Sequence, residues 1–175
     1  MNKKDVSISM SEATSKSLLI AIPIAILQAA SFFLLYGFPA TSANANMTLY
    51  GFALLFGILA HELIHMLAWA IFARKPLSVF KLGFQWKTLT PYAHCKEPMD
   101  IHPYRIGSLA PGLLLGILPW IISLFTGDLL LFIFGLLYTT AAGGDFLILW
   151  IIRNVNVNTL VEDHPTNAGC YVIEQ

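Results

Sequence analysis

Charged residues are scarce in this sequence. Only 11% of its 175 residues are Asp, Glu, Lys or Arg, whereas a soluble globular domain carries about 25%. Ten basic residues balance ten acidic ones, so the formal net charge is zero. Nucleic-acid binding needs a concentrated basic surface. The composition therefore gives no support for that class of function, and we expect no nucleic-acid partner.

Cysteine is equally rare. Cys95 and Cys170 are the only two cysteines, and they lie far apart in polar segments without forming a Cys-x-x-Cys pair. This pattern does not indicate a disulfide framework. We expect two free thiols, as is usual for residues that face a reducing compartment such as the cytosol.

Apolar residues are abundant and are grouped into long runs. Hydrophobic residues make up 57% of the chain, which is more than a soluble fold of this size could bury, so a lipid bilayer is the natural solvent. A helix needs ~20 residues to cross ~30 Å of hydrocarbon. Four runs are long enough, at residues 17–38, about 48–73, about 106–125 and about 129–152. The first run exceeds the apolar core of ~7–15 residues in a signal peptide, and we interpret it as a retained helix.

The predicted fold is an all-α membrane protein that forms a single domain over residues 1–175 with four transmembrane helices. The second and third spans are joined by a long polar loop, residues 74–105. Within this loop, residues 77–86 combine β-branched and aromatic side chains with polar interruptions. That pattern is typical of a strand or short β-hairpin.

The basic residues predict the orientation of the chain. Six of the ten lie in the 74–105 loop, three lie in the N-terminal tail, and Arg153 follows the last span. In a four-span layout all ten fall on one side, which the positive-inside rule assigns to the cytoplasm. We therefore expect an integral protein of a bacterial plasma membrane, in contact with the lipid bilayer, whose termini and long loop are cytoplasmic.

One group of ionisable residues interrupts the second span, the sequence His61-Glu62-Leu63-Ile64-His65. Helical positions four apart share a face, so the two histidines can offer imidazole nitrogens to one ion while Glu62 reaches a water on it. This is the HExxH arrangement of two zinc ligands and a general base. A charged residue at the centre of a membrane helix costs roughly 2.5–3.5 kcal/mol on insertion scales. Polar residues that join helices by hydrogen bonds are the alternative, but they do not require this spacing.

A catalytic zinc usually takes a third protein ligand, and Asp145 is the best candidate. It is the only acidic residue inside the fourth span. His65 lies nine residues before Arg74 and Asp145 lies eight before Arg153, so at ~1.5 Å per residue both have nearly the same depth. A hydrogen-bonded structural carboxylate is the alternative for Asp145.

Small residues suggest how the spans approach each other. Gly143 and Gly144 precede Asp145 and could let the second and fourth spans come near enough to share an ion. Ordinary helix packing is the alternative for these glycines. The third span is interrupted by prolines and glycines between residues 111 and 119. Such a break fits either a water-filled cavity or a packing kink.

Other polar residues have open roles. His94 and His102 lie in the long loop and could fold back to the metal, bind substrate or face solvent. We expect Asp163-His164-Pro165 to form an ordered turn packed against the loop, without a ligand role. An edge strand within residues 80–86 could hold an extended substrate by strand addition.

Four motifs carry a family resemblance: the His61–His65 sequence, Lys96-Glu97-Pro98, Pro111-Gly112 and Gly144-Asp145. From about residue 54 to 172 the chain resembles the zincin peptidases of the DUF3267 family, which implies membrane metallopeptidase activity. More distantly, its layout is similar to that of site-2 proteases, which cut substrates within or beside the membrane. Those enzymes place HExxH on one span and an Asp ligand, typically followed by Gly, on a later one. Here Phe146 follows Asp145.

The sequence thus predicts a membrane-embedded zinc metalloprotease that hydrolyses peptide bonds within or beside the bilayer. In this hypothesis His61, His65 and Asp145 bind Zn²⁺, and Glu62 is catalytic. The substrate is a protein or peptide associated with the membrane. A non-catalytic membrane protein that binds or transports metal is the alternative, although a carrier would need polar residues along its whole path. A third reading keeps the fold as an inactive binder of membrane segments.

Overall fold

A computed structural model of the chain describes residues 2–38, 46–86 and 90–174. The segment between the first and second predicted spans falls largely outside these residues, as does Lys87 of the long loop. Four stretches of helix in the described chain are long and apolar enough to cross a membrane. The first two are α1 (Met10–Tyr36) and α2 (Met47–Phe72).

The third and fourth stretches are each divided. The third consists of α3 (Ile101–Pro111), a π-helical segment (Gly112–Ile117) and α4 (Leu118–Thr126). The fourth consists of α5 (Leu129–Ala141) and α6 (Gly143–Ile151). The third stretch begins at Ile101 rather than near residue 106, because Pro103 fits a first helical turn, where N–H groups have no helical partner.

The prediction of an all-α fold is corrected by strands at both ends of the chain. An antiparallel sheet has the order β1-β6-β5-β4. Its members are β1 (Asn2–Ile8), β4 (Met99–Asp100), β5 (Leu160–Asp163) and β6 (Ala168–Glu174). β4 has two residues and β5 has four, and β1 pairs with residues at least 160 positions away. Local periodicity therefore gave little sign of them.

The predicted hairpin in the long loop is present. β2 (Phe80–Gln85) pairs antiparallel with β3 (Thr90–Cys95), with Phe80 opposite Cys95. A short 3-10 turn, Leu77–Val79, leads into β2. The hairpin therefore connects the end of α2 to the start of α3.

A buried aromatic stack joins the hairpin to the helices. The Trp69 ring of α2 lies 5.7 Å from that of Tyr104 on α3 and 6.3 Å from that of Phe80 on β2, measured between centroids. Cys95 and Cys170 are buried in the same core as free thiols. This core lies where α2 and α6 end and α3 begins, so the termini and the long loop sit at one end of the helices.

Arg105 connects the start of the third stretch to the end of the fourth. Its guanidinium donates to the carbonyl oxygens of Ile152 at 2.7 Å, Val155 at 2.8 Å and Arg153 at 3.3 Å. The last carbonyls of a helix have no intrahelical donor, so a cation at this position satisfies several of them at once. Arg105 thereby fixes α3 against α6 close to the buried core.

We expect Arg105→Met to lower the free energy of unfolding by about 2–3 kcal/mol, since hydrogen bonds to a charged group contribute about 1.5–3 kcal/mol. Thermal unfolding of the detergent-purified protein, followed by tryptophan fluorescence, measures the change. Arg153→Met is the control, because the exposed guanidinium of Arg153, among the described residues, donates only to the carbonyl oxygen of Trp150, three residues earlier. Equal stability of the two variants would contradict the bridging role of Arg105.

Candidate metal centre

Two helices bring a pair of histidines and one carboxylate together. The Nε2 of His61 on α2 lies 3.1 Å from Oδ2 of Asp145, and the Nε2 of His65 lies 3.3 Å from Oδ1 of the same carboxylate. Asp145 is in the first turn of α6, where the positive end of the helix dipole stabilises a negative charge. The side chains of all three residues are largely buried.

The spacing of these atoms fits a metal ion. Each of the three residues offers one possible ligand atom, and these three atoms lie within 4.8 Å of one another. Zinc bonds of ~2.0–2.1 Å in tetrahedral geometry place neighbouring ligand atoms ~3.4 Å apart, close to the His61–Asp145 and His65–Asp145 distances. Imidazole nitrogen and carboxylate oxygen are both zinc ligands. His61, His65 and Asp145 therefore suit a zinc site.

The ring of His65 is oriented by a carbonyl that a proline leaves free. Nδ1 of His65 lies 2.8 Å from the carbonyl oxygen of Gly107 on α3. In a regular helix that oxygen would accept the N–H of residue 111, but Pro111 has none. Nδ1–H of His65 can donate to it instead, which leaves the lone pair of Nε2 directed at the proposed ion.

The ring of His61 lacks such a support. Its Nδ1 is buried and has no hydrogen-bond partner among the described residues. An unsatisfied buried polar atom costs about 1–3 kcal/mol. The Nε2 contact with Asp145 is thus the polar interaction that holds this ring, and an ion at Nε2 would strengthen it.

Glu62 lies beside the three candidate ligands but does not join them. Its side chain is buried on the part of the molecule where α2 packs against β3. It lines the same cavity as His61, His65 and Asp145. This position suits a group that exchanges protons with a water molecule in the cavity.

The cavity has a volume of about 420 Å³. Its walls come from the first turns of α1, from α2 and α6, from β3 and from the turn that joins β5 to β6. Pockets for small ligands span about 300–1,000 Å³, whereas a water molecule takes up about 30 Å³. The cavity can therefore admit part of a peptide as well as water.

The sequence suggested that the two glycines before Asp145 let the second and fourth spans approach each other, but in the structure they make other contacts. A side chain at Gly143 would lie 3.0 Å from Ala21 and 3.2 Å from the backbone of Ser17, so this glycine allows α1, not α2, to approach. Gly144 faces open space and lines the cavity. Besides the contacts of His61 and His65 with Asp145, α2 meets the fourth stretch through Tyr138, whose hydroxyl donates to the carbonyl of Leu54. This tyrosine contact was missed in the sequence, where it has no characteristic pattern.

The break in the third stretch is a packing feature. Gly112 lies against Phe146, and Gly116 lies against the backbone of Thr139. Among the described residues that line the cavity, none comes from positions 111–119. Of the two alternatives for this break, the structure thus favours the packing kink, with the additional effect of Pro111 on His65.

The remaining candidate residues do not join the ligand group. His94 pairs with Asp163, and His102 is exposed on α3. His164 organises its own turn, as its Nδ1 accepts the N–H of Asn167 at 2.8 Å. Asp128 caps the far end of α5. The structure thus brings His61, His65 and Asp145 together and leaves these other residues apart.

The fold and this site define a helical, apolar protein with a buried group of two histidines and one aspartate suited to a metal ion. The model of the DUF3267 family, described as "Putative zincin peptidase", matches residues 54–160, more than half of the chain. The chain belongs to this family. The matched region includes all of the candidate ligands. Comparison with curated proteins and with solved structures gives no match.

We expect purified protein to hold about one zinc ion per chain, and His61→Ala, His65→Ala and Asp145→Ala to lose it, because each removes one of three converging donors. Elemental analysis by mass spectrometry after desalting measures the metal. Asp128→Ala is the control, since Asp128 caps a helix at the opposite end. Full zinc in Asp145→Ala would exclude Asp145 from the ligand set.

We expect Pro111→Ala to weaken zinc binding about 10-fold or more, because outer-shell partners of a ligand typically contribute 10–100-fold to affinity. The new N–H of residue 111 competes with His65 for the Gly107 carbonyl. Zinc affinity is measured by competition with a chromogenic chelator. Pro119→Ala is the matched control, as that proline lies in α4 and does not line the cavity. Equal affinities in both variants would refute the coupling.

Proposed function

We propose that this chain is a membrane-embedded zinc metalloprotease that hydrolyses peptide bonds within or beside the bilayer. The observation that carries the proposal is the convergence of His61, His65 and Asp145 at a cavity that Glu62 also lines. Membership of a family described as zincin peptidases supports the same chemistry. The placement of two histidines on one helix and an aspartate on a later one is site-2-protease-like.

In this proposal His61, His65 and Asp145 hold Zn²⁺. When bound, the zinc would supply a Lewis acid that polarises a carbonyl and lowers the pKa of water to about 7. Glu62 accepts a proton from the attacking water, whose oxygen forms the new bond to the carbonyl carbon. As the peptide C–N bond breaks, Glu62 donates that proton to the leaving amine nitrogen.

The surroundings of the site support a membrane location. Large apolar side chains are widely exposed on the helices, for example Leu34 at 86% and Phe125 at 84%. Such exposure would be unfavourable in water, whereas lipid accepts it. We further propose that the protein resides in a bacterial plasma membrane with both termini in the cytoplasm, since the described basic residues lie at the end of the helices where the sheet is formed.

The proposed substrate is a membrane-associated protein or peptide. Met10 and Ala13 of α1 and Ile58 of α2 give the cavity apolar walls. An extended segment could also lie along the hairpin. Residues 91–94 of β3 line the cavity, but only Gln85 does so from β2. A strand added near the site would therefore follow β3 rather than the 80–86 segment favoured by the sequence.

We expect Glu62→Gln to reduce peptide hydrolysis by at least about 100-fold, since general acid–base catalysis contributes 10²–10⁴-fold, while zinc remains bound. Cleavage of a fluorogenic peptide library by zinc-loaded protein in detergent measures activity, and elemental analysis measures the metal. Glu97→Gln is the control, because Glu97 is exposed and pairs with Lys75 in the loop. Unchanged hydrolysis by Glu62→Gln would refute the role of Glu62. Metal flux in proteoliposomes without any hydrolysis would favour the transport alternative.

A further inference from the structure

A second polar group lies on the wall of the cavity formed by β3 and the turn after β5. Its centre is the carboxylate of Asp163. Oδ2 of Asp163 lies 2.8 Å from Nδ1 of His94 and accepts the backbone N–H of Cys95 at 3.3 Å, while Oδ1 accepts the hydroxyl of Tyr104 at 3.0 Å. Three elements, β3, α3 and β5, therefore hold this carboxylate in place.

The contact with Asp163 determines the tautomer and the orientation of the His94 ring. A carboxylate only accepts hydrogen bonds, so Nδ1 of His94 carries the hydrogen that is donated to Oδ2. In the neutral ring, Nε2 then has a lone pair. This nitrogen makes no hydrogen bond to any other residue in the described part of the chain. The side chain of His94 is 20% exposed and lines the cavity.

The strand that carries His94 also meets the proposed general base. The strand β3 packs against α2, which carries Glu62, and residues 91–94 of β3 line the same cavity as Glu62. His94 and Glu62 therefore face one cavity from a shared strand–helix contact.

The neighbouring His164 already has a structural use. Its Nδ1 accepts the backbone N–H groups of Thr166 and Asn167, and the Asn167 amide donates to the hydroxyl of Ser7 on β1. These bonds make the turn a fixed part of the cavity wall. Asp163 therefore holds the His94 ring against this fixed turn, and Nε2 of His94 has no hydrogen-bond partner among the described residues.

We propose that His94 binds the substrate backbone: its Nε2 accepts a main-chain N–H of an extended peptide in the cavity, and Asp163 is the positioning residue for the ring. The inference rests on the proposed function, because it needs a peptide as ligand. It adds a substrate-binding residue that lies outside the group of metal ligands and is supplied by the long loop.

The test compares two ligands on zinc-loaded protein. Acetohydroxamate binds through the metal alone, whereas N-acetyl-leucyl-alanyl hydroxamate adds a peptide backbone with apolar side chains that suit the walls. Affinities are measured by isothermal titration calorimetry in detergent. In the wild type we expect the peptidyl ligand to bind about 10-fold or more tightly than acetohydroxamate, as one good hydrogen bond of about 1.4 kcal/mol would give.

Two substitutions at His94 separate binding from structure. His94→Asn keeps a donor near the Nδ1 position for Asp163 but has no atom at the Nε2 position, so we expect it to lose about 10-fold in affinity for the peptidyl ligand. His94→Gln keeps a polar atom near Nε2 and should retain most of the affinity. Acetohydroxamate binding and zinc content should not change in either variant. His102→Asn, at an exposed histidine of α3, is the control.

Equal binding of the peptidyl ligand by wild type and His94→Asn would overturn the inference while leaving the proposed function intact. The same holds if the peptidyl ligand gains nothing over acetohydroxamate in the wild type. If His94→Asn loses zinc or thermal stability, His94→Ala replaces it in the binding experiment, and the same two outcomes decide the inference. Failure of the wild type to bind zinc and either hydroxamate would instead refute the proposed function, and the inference with it.

Discussion

The contact of one carboxylate with two imidazoles is the constraint on which the rest of the structure depends. Asp145 can reach both Nε2 atoms because α5 ends at Ala141 and α6 restarts at Gly143, which places the aspartate in a first helical turn. A buried carboxylate without partners would be very unfavourable. The helix terminus and the two rings together make its burial tolerable, so the break in the fourth stretch and the histidine pair depend on each other.

A second dependence links the backbone carbonyl of Gly107 to the side chain of His65. Pro111 leaves the carbonyl of Gly107 without its helical donor, and in an apolar setting such a group needs another one. His65 can supply it and is held in the orientation that directs Nε2 to Asp145. The proline thus affects two elements at once: it begins the π-helical segment that packs on the fourth stretch, and it orients one candidate ligand.

The sequence predicted those features that depend on local periodicity. The helical period places His61 and His65 on one face of α2, and the rise per residue gives Asp145 the depth of His65, so these three residues could be grouped in advance. Pairings set by the tertiary fold could not be predicted in this way. The partner of β1 lies at the opposite end of the chain. Gly143 indicated a close approach but not to which helix, and the His94–Asp163 pair depends on how the long loop folds.

The arrangement of the cavity also bears on a requirement of the proposed function, since a hydrolytic site within lipid must admit water. Hydrolysis needs water, yet the candidate ligands lie within apolar helices. Here α1 and α2 contribute apolar walls, while β3 and the turn after β5 contribute polar side chains from the end of the molecule where the sheet lies. Water can be accommodated along that polar wall without exposing the backbone of the helices to lipid. The hairpin, which the sequence predicted, and the sheet, which it did not, thus provide the polar side of a site whose candidate ligands come from the helices.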